Sequence, residues 1–256
     1  MKILVVLSIA SLPLMGALVG VRLLLAGRRS RQLPELFVGL GLTLTMCIGL
    51  PLSAIGRIPA VVETAFGGVA FALGLFVSMA GVACLYAFTW RVFRANDAWA
   101  IGLVAAATLL LFSLALGLLD AAAGFTEVDQ IFPRTKPWAC AICVVGASAF
   151  VWTSIESVNY YVMLRRCLAL GLADAVVANR FLLWSVTGVT VTALCAGLTT
   201  ALLSGQAALR DPLPLALIAA CGVVASTAGY LAFLPPEPYL RAIRQRFDRE
   251  LGLGLD

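Results

Sequence analysis

Seven long apolar runs, near residues 3–26, 34–55, 62–89, 98–119, 138–163, 178–204 and 213–234, take up about two-thirds of this 256-residue chain. A helix needs about 20 apolar residues to cross the hydrocarbon core of a bilayer, and each run supplies them. The period-two alternation of a membrane β-barrel is absent, so the runs read as helices. The chain is 62% hydrophobic and 12% charged, with a mean hydropathy of +1.01, against about 25% charged residues in an ordinary soluble domain. These features predict an all-α polytopic membrane helix bundle of seven transmembrane helices. They leave no length for a soluble catalytic domain.

Orientation follows from the basic residues, because cytoplasmic loops retain Lys and Arg. With the amino terminus outside, alternate connections collect thirteen of the eighteen on one side. Among them are Arg28, Arg29 and Arg31, Arg91 and Arg94, Arg165 and Arg166, and the arginines after residue 240. The other side holds Lys2, Arg57, Arg134, Lys136 and Arg210. The expected plan is therefore N-terminus out and C-terminus in. The net charge of +5 then reflects topology and not a nucleic-acid surface.

The first run is too long for the apolar region of a signal peptide and leads straight into the arginine cluster, so it reads as an uncleaved span bent at Pro13. Asp174 is placed to cap a helix running from Ala175 to Leu203, about 45 Å at 1.5 Å per residue, so the sixth span projects inward past the membrane. After Pro235 and Pro236, the residues Leu240, Ile243, Phe247 and Leu251 recur at helical spacing opposite Arg241, Arg244 and Arg249. That period predicts a short amphipathic helix within 237–256, lying in the inner interface on anionic lipid, after a transmembrane domain of residues 1–236. On the third span, Gly67, Ala70, Gly74 and Gly81 predict close helix contact.

The chain has no histidine, which excludes a Ser-His-Asp triad and His-ligated zinc or haem. Its two lysines, Lys2 and Lys136, lie outside the spans, so a retinal Schiff base has no intramembrane Lys to form on. Cys140 and Cys143 have neither a second pair nor a histidine to complete a metal site. Serial intramembrane arginines, a TVGYG filter and paired NPA loops are also missing. The expectation is a protein that is not an enzyme, with no catalytic residues, no metal, no cofactor and no nucleic-acid partner.

Function then has to come from the few polar groups at membrane depth. The stretch from Trp152 to Tyr161 is the most polar part of any run. Glu156 stands nine residues before Arg165, about 13 Å at helical rise, which places it near mid-bilayer. Trp152, Glu156, Asn159 and Tyr160 share one face by i, i+3 and i+4 spacing, with Thr153 on its flank. As a functional group, Glu156 would bind a ligand or proton with Asn159, Tyr160, Trp152 and Thr153 around it. As a structural group, it would be a neutral carboxyl clamped by hydroxyls of the sixth span, such as Ser185, Thr187 and Thr190. Arg22 and Glu35 read as anchors, with Glu35 near enough to pair with the Arg28–Arg31 cluster.

Three strings carry a family resemblance: LLLAGRRSRQLPELFVGLGL (23–42), RRCLALGLADAVVANRFLLWS (165–185) and LAFLPPEPYLRAI (231–243). They resemble an uncharacterised family of bacterial, mainly proteobacterial, seven-transmembrane-helix proteins. The resemblance implies a multi-pass protein of the bacterial inner membrane and carries no activity or site residue with it. Three functions fit the sequence. One is a receptor-like or sensory bundle that binds an apolar or amphipathic ligand and acts through a separate cytoplasmic or membrane partner. The others are a small transporter or proton-coupled permease using Glu156, and a structural or assembly subunit of a membrane complex.

Overall fold

The computed structural model describes residues 2–62, 64–123, 128–205 and 212–250, and every described element is helical. Helix α1 (Lys2–Ser30) is followed by α2 (Leu33–Leu42), which continues through a π-helical segment (Thr43–Gly49) into α3 (Leu50–Ile55). In the π segment the Leu50 amide reaches back five residues to the Thr45 carbonyl. Pro51 explains the position: its ring crowds the carbonyl four residues earlier and it has no amide hydrogen, so the turn ahead of it widens. A single turn, α4 (Pro59–Val62), precedes α5 (Ala65–Phe93), whose first turn is capped by the Thr64 hydroxyl, which accepts from the Gly67 amide at 3.2 Å. Then come α6 (Ala98–Ala122), α7 (Val128–Ala169), α8 (Ala175–Ser204), α9 (Pro212–Phe233) and α10 (Glu237–Glu250).

Among the described residues, six segments are long and apolar enough to cross a membrane: the α2–π–α3 rod, α5, α6, α7, α8 and α9. Helix α1 occupies the expected first span and holds Pro13 without interruption, but the side chains before Pro13 lie outside the described residues. Helix α7 differs most from expectation. It begins ten residues before the predicted start and is 42 residues long, about 63 Å at helical rise and roughly twice the hydrocarbon thickness. Pro133, Arg134, Lys136 and Pro137 read as loop in sequence, yet two missing backbone donors do not break this helix. Helix α8 starts where Asp174 predicts, with the Val176 amide donating to the Asp174 carboxylate at 2.8 Å.

The spans pack in chain order and α9 returns to α1, closing a ring. Helix α5 also touches α7 directly, which places α6 on the outside of a ring of six. Large apolar side chains such as Phe66, Val69, Leu109, Leu116 and Val189 face outward, the arrangement expected where the surrounding solvent is lipid. The tightest contact lies between α5 and the second span. There Gly74 backs onto Ser53 and the Gly49 carbonyl, and Gly81 onto Thr45 and the Gly41 carbonyl.

Helix α10 corrects an expectation. Its apolar face does not lie free for lipid: Ile243 and Phe247 are buried against Leu168 of α7 and Ala178 of α8. Asn179 donates to the Tyr239 hydroxyl at 3.0 Å, and Arg165 lies 5.5 Å from the Phe247 ring. The projecting ends of α7 and α8 supply an apolar surface nearer than the membrane, and the helix takes it. Leu251 lies outside the described residues.

The α5 contact gives a direct test. Gly81→Leu would drive a side chain into the Gly41 backbone and lower stability by about 1–3 kcal/mol. Gly102→Leu, where an added Cβ meets no heavy atom within 4 Å, leaves the thermal midpoint in detergent unchanged.

Candidate functional site

Helix α5 ends at Phe93, and the turn that follows swings Arg94 back against α7. Its Nε donates to Glu156 Oε1 at 2.7 Å, and the Trp152 ring NH donates to the same oxygen at 3.3 Å. Asp97 lies 3.5 Å from the other side of the guanidinium, and the Trp99 ring stands 5.9 Å from it. The carboxylate is buried, whereas the Arg94 side chain is 40% exposed. The hydrogen bond and then the charge of Glu156, with help from Asp97, hold the Arg94 guanidinium above its ordinary range.

This pair corrects the partner expected for Glu156. The residue stands level with the α5–α6 turn, and α7 runs thirteen residues further to Ala169. Its partner is a guanidinium, not a hydroxyl of α8. Ser185, Thr187 and Thr190 instead donate to carbonyls of their own helix at 2.7–3.0 Å. The buried carboxyl group of Glu156 thus has a charged partner at hydrogen-bond distance.

The other residues of the predicted face separate. Thr153 is buried and meets Thr89 of α5 at 2.5 Å, one rung of a seam that also bonds the Tyr86 hydroxyl to the Val145 carbonyl at 2.6 Å. Tyr160 turns to aromatic neighbours, 4.7 Å from Phe181 and 5.8 Å from Phe93. Asn159 is exposed. Trp152, Thr153 and Glu156 thus join α7 to α5 and the α5–α6 turn, while Asn159 and Tyr160 are not part of that cluster. Glu35 accepts from the Ser30 hydroxyl at 2.8 Å and, among the described residues, makes no ion pair with the neighbouring arginines.

A second feature had no sequence signal as a site. The ring encloses a cavity of about 250 Å³, walled by Val19 of α1, Met46 of the π segment, Leu85 of α5, Phe150 of α7, Val191 of α8 and Phe233 of α9. Its exposed surface is apolar. Thr187, on the wall, donates to the Leu183 carbonyl at 3.0 Å. Trp184 also lies on the wall, packed on Phe88 at 6.0 Å and Phe233 at 5.1 Å. Its buried ring NH has no hydrogen-bond partner among the described residues. Glu156 does not line this cavity.

Arg94 could have been suspected from Asp97 and Trp99 beside it, but a contact 62 residues away has no local pattern. The cavity exists only once α9 meets α1. Comparison with family models, curated proteins and solved structures gave no match, so function rests on this geometry. Among the described residues no cluster of histidine, cysteine or acidic side chains is arranged to hold a metal ion.

The charge pair predicts an asymmetry in thermal unfolding. Arg94→Gln leaves a buried carboxylate without its cation and lowers the midpoint more than Glu156→Gln, which leaves a half-exposed guanidinium. The double variant melts above Arg94→Gln alone. Equal losses in the two single variants would show that the pair is not what holds the turn.

Proposed function

We propose that this chain is a receptor-like seven-helix bundle of a bacterial inner membrane, with its amino terminus out and its carboxyl terminus in. It is not an enzyme: it binds an apolar or amphipathic ligand in the central cavity and acts through a separate partner. The observation that carries this reading is the apolar cavity walled by six helices. At about 250 Å³ it exceeds the engineered apolar cavity of about 150 Å³ that stays dry and takes up benzene. A void of that size and lining gains from an apolar guest, and a guest touching six helices biases how they pack. The basic end bears the lever for output, where α7, α8 and α10 project together and Leu170 and Leu172 are 73% and 76% exposed at the α7–α8 turn.

The permease reading has less support, because its titrating carboxyl is bound to Arg94 and stands apart from the cavity. An assembly subunit would use the exposed leucines but would leave the cavity without a purpose.

Quenching of Trp184 by 1-bromodecane in nanodiscs tests the proposal. The quenched component lost in Trp184→Phe should also be lost in Val191→Phe, which fills the cavity, and should persist in Glu156→Gln. Undiminished Trp184 quenching in Val191→Phe would rule the cavity out as the binding site.

A further inference from the structure

We propose that the ligand is an anionic amphiphile taken from the bilayer, with its headgroup between Arg22 and Arg180 and its chain passing Phe233 into the cavity. This rests on the cavity reading above and names the chemical class that the cavity receives.

Three spaces lie in series. The central cavity shares Val19 and Phe233 with a recess of about 240 Å³ between α1, α2, α8 and α9. That recess shares Arg22 and Arg180 with a groove of about 1040 Å³ on the outer side of α1 and α9. The groove walls are chiefly apolar, including the exposed Leu14, Leu18, Val21 and Leu25 on α1, with Leu240 on α10. A chain lying in the groove therefore has two guanidinium groups and Phe233 of the cavity wall within reach.

The charge at that point lacks its complement. Arg22 stands eight residues before the end of α1, about 12 Å at helical rise, so it lies within the helix and not in the loop, and its side chain, like that of Arg180, is exposed. Neither Arg22 nor Arg180 is ion-paired among the described residues. Two acids are near: Glu35 lines the recess and accepts from Ser30, while Glu237 borders the groove at the first turn of α10. Neither lies within ion-pair distance of Arg22 or Arg180, and the recess keeps two cations against one carboxyl. Cations at membrane depth are costly unless paired, and guanidinium forks match the oxygens of a phosphate or carboxylate.

The volumes divide the ligand in the same way. The cavity holds an apolar chain end, and the recess holds a head. A soluble anion would use the arginines and ignore the groove; a neutral hydrocarbon would use the groove and ignore the arginines. Only an anionic amphiphile uses both.

Native mass spectrometry of the full chain in neutral detergent tests this, with lysophosphatidylglycerol and lysophosphatidylcholine as probes. The wild type should retain the anionic probe about tenfold better, the scale expected of two exposed arginines beside a single anionic headgroup. Arg22→Gln/Arg180→Gln should retain both probes equally, and Arg22→Lys/Arg180→Lys should keep most of the preference. Where the double Gln variant does not accumulate, each single Gln variant should lose part of it. Equal retention by the wild type, or an unchanged preference in the Gln variants, overturns the headgroup proposal and leaves the cavity reading standing. Val191→Phe should lose both probes; full retention there overturns the cavity reading itself, and the chain path with it.

Discussion

The close approach of α5 to the second span is the contact on which the ring depends. Lipid tails are as apolar as leucine, so two membrane helices gain little from hiding hydrophobic surface and much from touching closely. Here Gly41, Thr45, Gly49 and Ser53 meet Gly74, Ser78 and Gly81, and one backbone lies almost on the other. The Thr45 hydroxyl donates to the Ser78 carbonyl at 3.5 Å across the contact. With that wall fixed, and α7 held to α5 by Tyr86, Thr89 and Arg94, the remaining helices complete a circle whose interior is fringed by larger side chains. The cavity is what remains where small residues stop and methionine, leucine and phenylalanine begin.

Features that live in one helix were legible in the sequence. Six of the seven apolar runs match helices long and apolar enough to cross a membrane among the described residues, Asp174 gave the start of α8, and the period of Ile243 and Phe247 gave α10. The small residues of the third span gave its packing face. What could not be read was set by distant partners. Glu156 has no guanidinium within a helical turn, so its position read as deep and unpaired; the turn after α5 supplies Arg94 from 62 residues away. The early start of α7 was hidden for a local reason, because charge and proline marked Pro133–Pro137 as loop. The π segment left one clue, Gly49 and Pro51 in an apolar run, and proline alone does not say how a helix will accommodate it.

At the basic end the protein builds a small structure outside its own bundle. The ends of α7 and α8 and the whole of α10 share a core of Leu168, Ala178, Ile243 and Phe247. Nearer the bundle, Tyr160 and Phe181 meet each other and Phe93, and Phe93 reaches Trp184 through Phe88. Trp184 is therefore joined by ring contacts to Tyr160 of α7 and Phe181 of α8.

The π segment has a geometric effect beyond making room for Pro51. A row of residues spaced by four overshoots a full α-helical turn and winds around the axis by about 40° at each step. A π turn holds more than four residues, so the same step falls short and winds backward. Placed midway in the second span, the wide turn cancels the drift of the α-helices on either side. Gly41, Thr45, Gly49 and Ser53 can then keep one heading over twelve residues of contact with α5. The irregular turn acts as a phase correction, letting a curved surface meet a long partner along a straight line.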